Sequence, residues 1–449
     1  MKVTTRNPWL WVPTLYFAEG IPYFIVNNIS VLMLAKMGVP NGQMALFTSL
    51  LYLPWMIKPF WSPFVDIIRT KRWWIIAMQL LMSLAFIMLT LCIPHPSAAE
   101  IASGNTPIGL FGVTLILFAI TAFASATHDI AADGFYMLAL STKNQAAFVG
   151  IRSTFYRLSS IFGQGVLVYI AGYTETHGLG FLGIEAGNIP ASWQLTLGVT
   201  ALIFSLVTLY HTFIVPRPAT DHSRLDANHR TAGAGTIFRE FANSFATFFT
   251  KKGLWLAIAF MLLYRLPEAF LIKMCTPFLV ASKEVGGLGL STENVGIVYG
   301  TIGVLFLTIG GIIGGVYASK VGLRKSLWVM AACMTLPCLT FCYLAEVQPD
   351  NLWYISTAVA IEQFGYGFGF TAYMLYMMYF SEGEFTTSHY AICTAFMAMS
   401  MMLPGMVAGF LQEVLGYAMF FWMVIACCAA TLIVTYFIDR KIDPTYGLK

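Results

Sequence analysis

Apolar runs of about 20 residues follow one another from Trp9 to Ile438 with short polar breaks, and each is long enough to cross about 30 Å of hydrocarbon. In that medium every backbone N–H and C=O must find its partner within the chain, so a crossing segment is a helix or a strand of a closed barrel. The runs lack strand-like alternation, which selects helices. Only 10% of the residues are charged and 58% are hydrophobic, against about 25% charged in a soluble domain. An aqueous fold is excluded. The expected class is all-α integral membrane, with 12 transmembrane helices near 9–35, 42–67, 73–93, 108–140, 147–172, 192–215, 253–282, 293–318, 326–346, 351–380, 389–415 and 417–438. No cleavable signal peptide is expected, because the first apolar stretch runs straight into a full span.

Lys and Arg in the loops set the orientation. With the N-terminus inside, eighteen of the 25 fall in cytoplasmic segments and two, Lys36 and Lys283, on the opposite face. Both termini are therefore expected on the cytoplasmic side. The formal charge of +4 reflects this sidedness and gives no reason to invoke nucleic acid. The eight Cys lack metal spacing, so no disulfide, metal or cofactor is assigned.

The longest hydrophilic stretch begins at Arg217 and lies midway. After it, Phe238, Phe241, Phe245 and Phe248 recur at helical spacing, as on a helix lying along a membrane surface. The division expected is a bundle over 1–216, a linker over 217–252 and a second bundle with a short tail over 253–449. Span 1 carries Tyr16-Phe-Ala-Glu-Gly-Ile-Pro-Tyr23 and span 7 carries Tyr264-Arg-Leu-Pro-Glu-Ala-Phe270. Interrupted helices in corresponding positions of two halves point to a binding site between them.

Charge inside the spans marks that site. A carboxylate in hydrocarbon costs on the order of 3 kcal/mol, yet span 4 carries Asp129 and Asp133 at i and i+4, on one helix face. Arg157 of antiparallel span 5 lies roughly 15 Å deep, level with them. It is read either as a structural ion pair with these acids or as a pair that opens on protonation or substrate arrival. Glu19 precedes Pro22, which removes a backbone donor and leaves a broken turn for a ligand. Asp129, Asp133 and Glu19 are the proton-coupling candidates; Arg157, Arg265, Glu268, Glu362 and Tyr23 are the substrate-binding ones. Arg265 and Glu268 are spaced to pair with each other at i, i+3. Glu362 sits among Gly365, Gly367 and Gly369, which permit close packing or bending. Lys58 is read as structural or gating, and Lys273 receives no role. Tyr16, Tyr23, Tyr264 and Tyr366 are offered for stacking on sugar rings. His128 and Asp133 also form His-x4-Asp, a spacing used by membrane acyltransferases in which His is a general base. No Walker loop is present, which disfavours ATP-driven transport.

The loop Asp66-Ile-Ile-Arg-Thr-Lys-Arg72 after span 2, and Gly315 to Lys325 with Arg324 after span 8, resemble the basic loop motif of the major facilitator superfamily. Asp66 and Arg324 join Lys58 as gating candidates. Together with Leu53-Pro-Trp-Met-Ile-Lys-Pro-Phe-Trp-Ser-Pro-Phe-Val-Asp66, Ala126-Thr-His-Asp-Ile-Ala-Ala-Asp133, Leu263-Tyr-Arg-Leu-Pro-Glu-Ala-Phe270 and Phe385-Thr-Thr-Ser-His-Tyr-Ala391, they resemble the AmpG-type muropeptide permeases of that superfamily, and more distantly the acetyl-CoA transporters. The resemblance implies two six-helix bundles and a proton-driven, non-enzymatic importer of N-acetylglucosaminyl-anhydro-N-acetylmuramic acid and its peptides for cell-wall recycling. It implies no cofactor beyond the proton gradient, a lipid bilayer and a small glycopeptide or sugar as partners, and a monomer. His128 stands where the family more often has Gln, and Glu19 where it has a small residue. Another amino sugar or disaccharide, a CoA-thioester exchanger and a membrane acyltransferase are the alternatives.

Overall fold

A computed structural model describes residues 6–140, 142–221, 234–383, 386–444 and 446. Some side chains within helices, that of the gating candidate Asp66 included, lie outside the described set, as do those of Phe238 and Phe241. The chain runs as α1 (Val12–Phe24), α2 (Ser30–Lys36), α3 (Asn41–Leu50), α4 (Leu53–Ile68), α5 (Lys71–Cys92), α6 (Ala98–Ser103), α7 (Gly112–Ala139), α8 (Thr142–Ser160), α9 (Val168–His177) and α10 (Ile189–Ile214). After the linker come α11 (Ala234–Phe249), α12 (Leu254–Leu263), α13 (Leu266–Val280), α14 (Thr292–Val295), α15 (Val304–Val321), α16 (Leu323–Thr335), α17 (Leu339–Val347), α18 (Leu352–Ser381) and α19 (Thr386–Asp439). The last merges two helices across Gly416, whose φ of 72° reverses the chain locally and is a conformation that glycine adopts at no steric cost. An isolated bridge pairs Leu179 with Ile184.

Eight stretches are by themselves long and apolar enough to cross a membrane. Expected spans 2, 5 and 10 are not among them, although span 10 is the unbroken α18. Span 2 is broken between α3 and α4 at Leu51 and Tyr52, and α8 is rich in polar residues.

Pro22 does not break its helix. α1 runs through it to Phe24, and the irregularity follows as a π-helical turn over Ile25–Ile29. Two further π-helical stretches, Ile161–Leu167 and Gly296–Gly303, join α8 to α9 and α14 to α15. In span 7, by contrast, the chain does break. Arg265 is the N-cap residue between α12 and α13, and Pro267 sits in the first turn, where its missing N–H costs nothing.

Contacts define two faces. On one, the terminal face, the Tyr210 hydroxyl donates to the Leu10 carbonyl at 2.7 Å and the Arg72 guanidinium to the Thr212 carbonyl at 2.6 Å. The Leu323 N–H there reaches the Tyr446 carbonyl at 3.1 Å. The linker helix α11 lies on this side, with Phe248 buried against Phe380, His389 and Phe396, and Phe245 against Phe60 of α4. Beneath the opposite face one apolar core joins both halves of the chain, from Ile21 and Phe204 to Phe278 and Phe421. Beneath the terminal face the core is split. One cluster holds only first-half residues, around Trp11 and Phe135, and the other only second-half residues, around Phe260 and Tyr373.

The joined side is sealed by close approach. A methyl added to Gly296 would lie 2.9 Å from the Tyr169 backbone nitrogen, and one on Gly172 would overlap the Glu293 backbone. Polar links reinforce the seal. Asn41 donates to Gln412 at 2.7 Å and to Tyr417 at 3.0 Å, the Gly42 N–H donates to Glu413 at 2.7 Å, and Thr292 donates to Glu175 at 2.8 Å.

Candidate functional site

Between the split cores lies a cavity of about 600 Å³ with walls from both halves. Its lining includes Glu19, Tyr23, Lys58, Asp129, Arg157 and Arg265, all singled out in the sequence. It reaches toward the terminal face at Ser153, Met374 and Thr394. Its ceiling toward the opposite face is formed by Asn28, Gln164 and Tyr299, one from each π-helical stretch. Asn28 donates to Gln164 at 3.0 Å. Wide turns of this kind recur at functional sites.

The acids of α7 divide between two cations. Lys58 of α4 meets Asp129 at 2.5 Å, and Arg152 of α8 meets Asp133 at 2.6 Å. The Tyr16 hydroxyl also donates to Asp133, at 3.2 Å, and the Arg152 guanidinium lies 4.4 Å from the Tyr16 ring centre. Glu19 is buried beside Asp129 in the same cavity wall, and its Oε2 has no hydrogen-bond partner among the described residues. Two carboxylates this near one another repel when both carry charge. Gly20 lets this stretch of α1 lie against α8, where an added methyl would sit 3.0 Å from Ser159 Cβ.

Arg157 does not pair with these acids. It faces across the cavity to the second half, with Thr308 Oγ1 at 3.5 Å and Gly311 beside it. Helical geometry explains the exchange of partners. Arg152 and Arg157 are five residues apart, which places them about 140° apart around α8, so only one can point at α7. Arg265 does not pair with Glu268 either. Its guanidinium donates to the Tyr366 hydroxyl and stacks over Phe370, 4.7 Å from the ring centre. Among the described residues no carboxylate lies within ion-pair distance of Arg157 or Arg265.

Glu268 and Glu362 are not on the cavity wall. Both are fully buried behind it; the Glu268 oxygens have no hydrogen-bond partner among the described residues, and Gln363, which itself lines the cavity, donates to Glu362 at 2.8 Å. Gly367 and Gly369 allow α18 to close on α15 and α16 there. Arg324 pairs at 3.5 Å with Asp439 on the terminal face. Of the four tyrosines offered for stacking, Tyr23 and Tyr366 line the cavity; Tyr264 is packed in the core, its hydroxyl donating to the Gly369 carbonyl.

His128 points away from the cavity into a buried relay. Its Nε2 lies 3.0 Å from Gln79, whose Oε1 meets His211 Nδ1 at 3.0 Å, and His211 Nε2 meets Thr14 at 2.9 Å. A ring held this way has no route to an acceptor hydroxyl, which removes the acyltransferase arrangement. Missed in the sequence were the role of Arg152 and the cavity-lining Tyr52, Trp55, Tyr156 and Gln164. Only Arg152, a cation inside a span, carried a readable signal.

The Major Facilitator Superfamily pattern matches residues 14–387. The chain is 24% identical over 439 residues to the anhydromuropeptide permease of Escherichia coli, covering 96% of this chain and 79% of that one. It is 23% identical to a putative AmpG transporter of Rickettsia conorii, covering 96% of each. Among solved structures, its fold resembles a D-xylose-proton symporter with a TM-score of 0.68 at 12% identity, covering 98% of each chain. It also resembles an inward-facing bacterial homologue of the human lysosomal transporter Spinster, at TM-score 0.67 and 15% identity over 96% of each. A cavity between two halves, sealed on one face, is the form a permease needs rather than an enzyme. The chain belongs to the Major Facilitator Superfamily, a multi-pass secondary transporter of the bacterial inner membrane whose relatives are AmpG-type permeases.

Proposed function

We propose that the protein is a proton-coupled importer of anhydromuropeptides, crossing the membrane twelve times as two six-helix bundles with both termini in the cytoplasm. It needs no cofactor beyond the proton gradient and works as a monomer. The terminal face is then the cytoplasmic one, and the conformation described is open inward and closed outward.

One observation carries this reading. A single cavity holds two neighbouring acids, Glu19 and Asp129, and two guanidiniums without carboxylate partners among the described residues, Arg157 and Arg265. Unpaired cations in a membrane interior call for an anion, and the carboxylate of a muramyl sugar supplies one. Tyr23, Trp55, Tyr156 and Tyr366 in the same wall offer flat faces to sugar rings, and the relative's printed name, anhydromuropeptide permease, points the same way. A proton arriving on the Glu19–Asp129 pair weakens the hold of Asp129 on Lys58. The freed ammonium then becomes a third cation for the substrate, and loss of the proton to the cytoplasm draws Lys58 back.

The test is uptake of labelled N-acetylglucosaminyl-anhydro-N-acetylmuramic acid into proteoliposomes, with and without an imposed proton gradient. Accumulation above the external concentration only with the gradient supports the reading. Accumulation that ignores the gradient removes the coupling, and no uptake removes the substrate.

A further inference from the structure

Beyond the cavity ceiling, toward the sealed face, lies a second and much smaller void of about 20 Å³, space for little more than one water. Asn28, Tyr52, Tyr299 and Met401 line both spaces, so only the ceiling separates them. The small void is walled by both halves: Asn27, Asn28 and Tyr52 from the first, Lys273, Thr276 and Tyr299 from the second. It therefore opens when the halves part on that face.

Lys273 is 6% exposed, and its ammonium has no hydrogen-bond partner among the described residues. The Asn27 side-chain oxygen on the facing wall, on a residue 4% exposed, also lacks a donor. A buried ammonium without a counter-charge is strongly unfavourable, and such a group is kept where a ligand or another conformation supplies its partner. Lys273 lies eight residues beyond Arg265 on α13, about 12 Å along the helix axis. The two cations therefore stand in sequence from the sealed face to the cavity.

We propose that Lys273 is a carboxylate-binding subsite, the first cation that an acidic sugar meets when the sealed face opens, and that it passes the anion on to Arg265. This rests on the reading above of the substrate as an acidic sugar arriving from that face. In the closed conformation the ammonium is left without a partner, which favours reopening once substrate has gone inward.

The test compares initial uptake of the labelled disaccharide acid and of its methyl ester by wild type, Lys273→Met and Lys273→Arg in proteoliposomes. The Met variant should raise KM for the acid about tenfold or more, the scale of one charge-assisted hydrogen bond, leaving kcat and ester transport within about twofold. The Arg variant should stay within about threefold of wild type. Equal effects of Lys273→Met on acid and ester, or none on either, overturn the proposal. If wild type takes up neither compound, the substrate reading fails by itself, and labelling then decides the subsite. Lys273→Cys in whole cells should react with a membrane-impermeant thiol reagent above the background of the native cysteines; reaction at background overturns the proposal.

Discussion

Each half of the chain buries a pair of adjoining acids on corresponding helices, and the two pairs are placed differently. Glu19 and Asp129 stand in the cavity wall, with Lys58 at 2.5 Å from Asp129. Glu268 and Glu362 sit behind the wall, reached only through Gln363, with no ion pair among the described residues. A proton is cheap to exchange where a cation waits to take over the freed carboxylate and the cavity gives access. Where neither holds, the acids are buried away from the cavity, Glu362 held by Gln363 and both Glu268 oxygens without a hydrogen-bond partner among the described residues. On the proposed function, the first pair is the coupling site and the second a structural one.

Asp129→Asn breaks the comparison most severely. It should reduce gradient-driven accumulation of the disaccharide to that of empty liposomes while the protein still inserts and elutes as a folded species. Lys58→Met should cost about 1–3 kcal/mol of stability, between the values for exposed and buried pairs because both side chains keep over a fifth of their exposure. Adding Asp129→Asn to it should restore the thermal midpoint but not the coupling. Arg157→Met should raise KM for the acid about 10- to 100-fold, with the ester affected less. Glu362→Gln sharpens the contrast from the other side. Glu362 lies behind the cavity wall, so accumulation should stay within about twofold of wild type. Arg324→Ala, which removes a half-exposed pair at 3.5 Å, should shift stability by less than about 1 kcal/mol.

Much of this site was legible in the sequence, because charge inside hydrocarbon is rare enough to be read residue by residue. Glu19, Asp129, Arg157 and Arg265 reach the cavity as expected. Partner choice was not legible. Counting residues gives the depth of Arg157 but not its azimuth, and a rotation of about 140° hands the acid of α7 to Arg152 instead. The same limit applies to Glu268 and Glu362, whose depth matched the cavity while their direction did not. Pro22 misled for another reason. A proline removes one donor, but the helix absorbed the loss and placed its irregularity at Ile25–Ile29, where the sequence shows neither Gly nor Pro. Gly172 and Gly296, which the sequence reading did not single out, lie where helices of the two halves touch.

The most direct test of the account is proton movement during uptake. In lightly buffered proteoliposomes holding wild-type protein and an internal pH dye, adding the anhydro-disaccharide without an imposed gradient should acidify the lumen as sugar enters. Sugar entry with an unchanged internal pH would contradict the claim that one cavity couples the Glu19–Asp129 proton to anion transport.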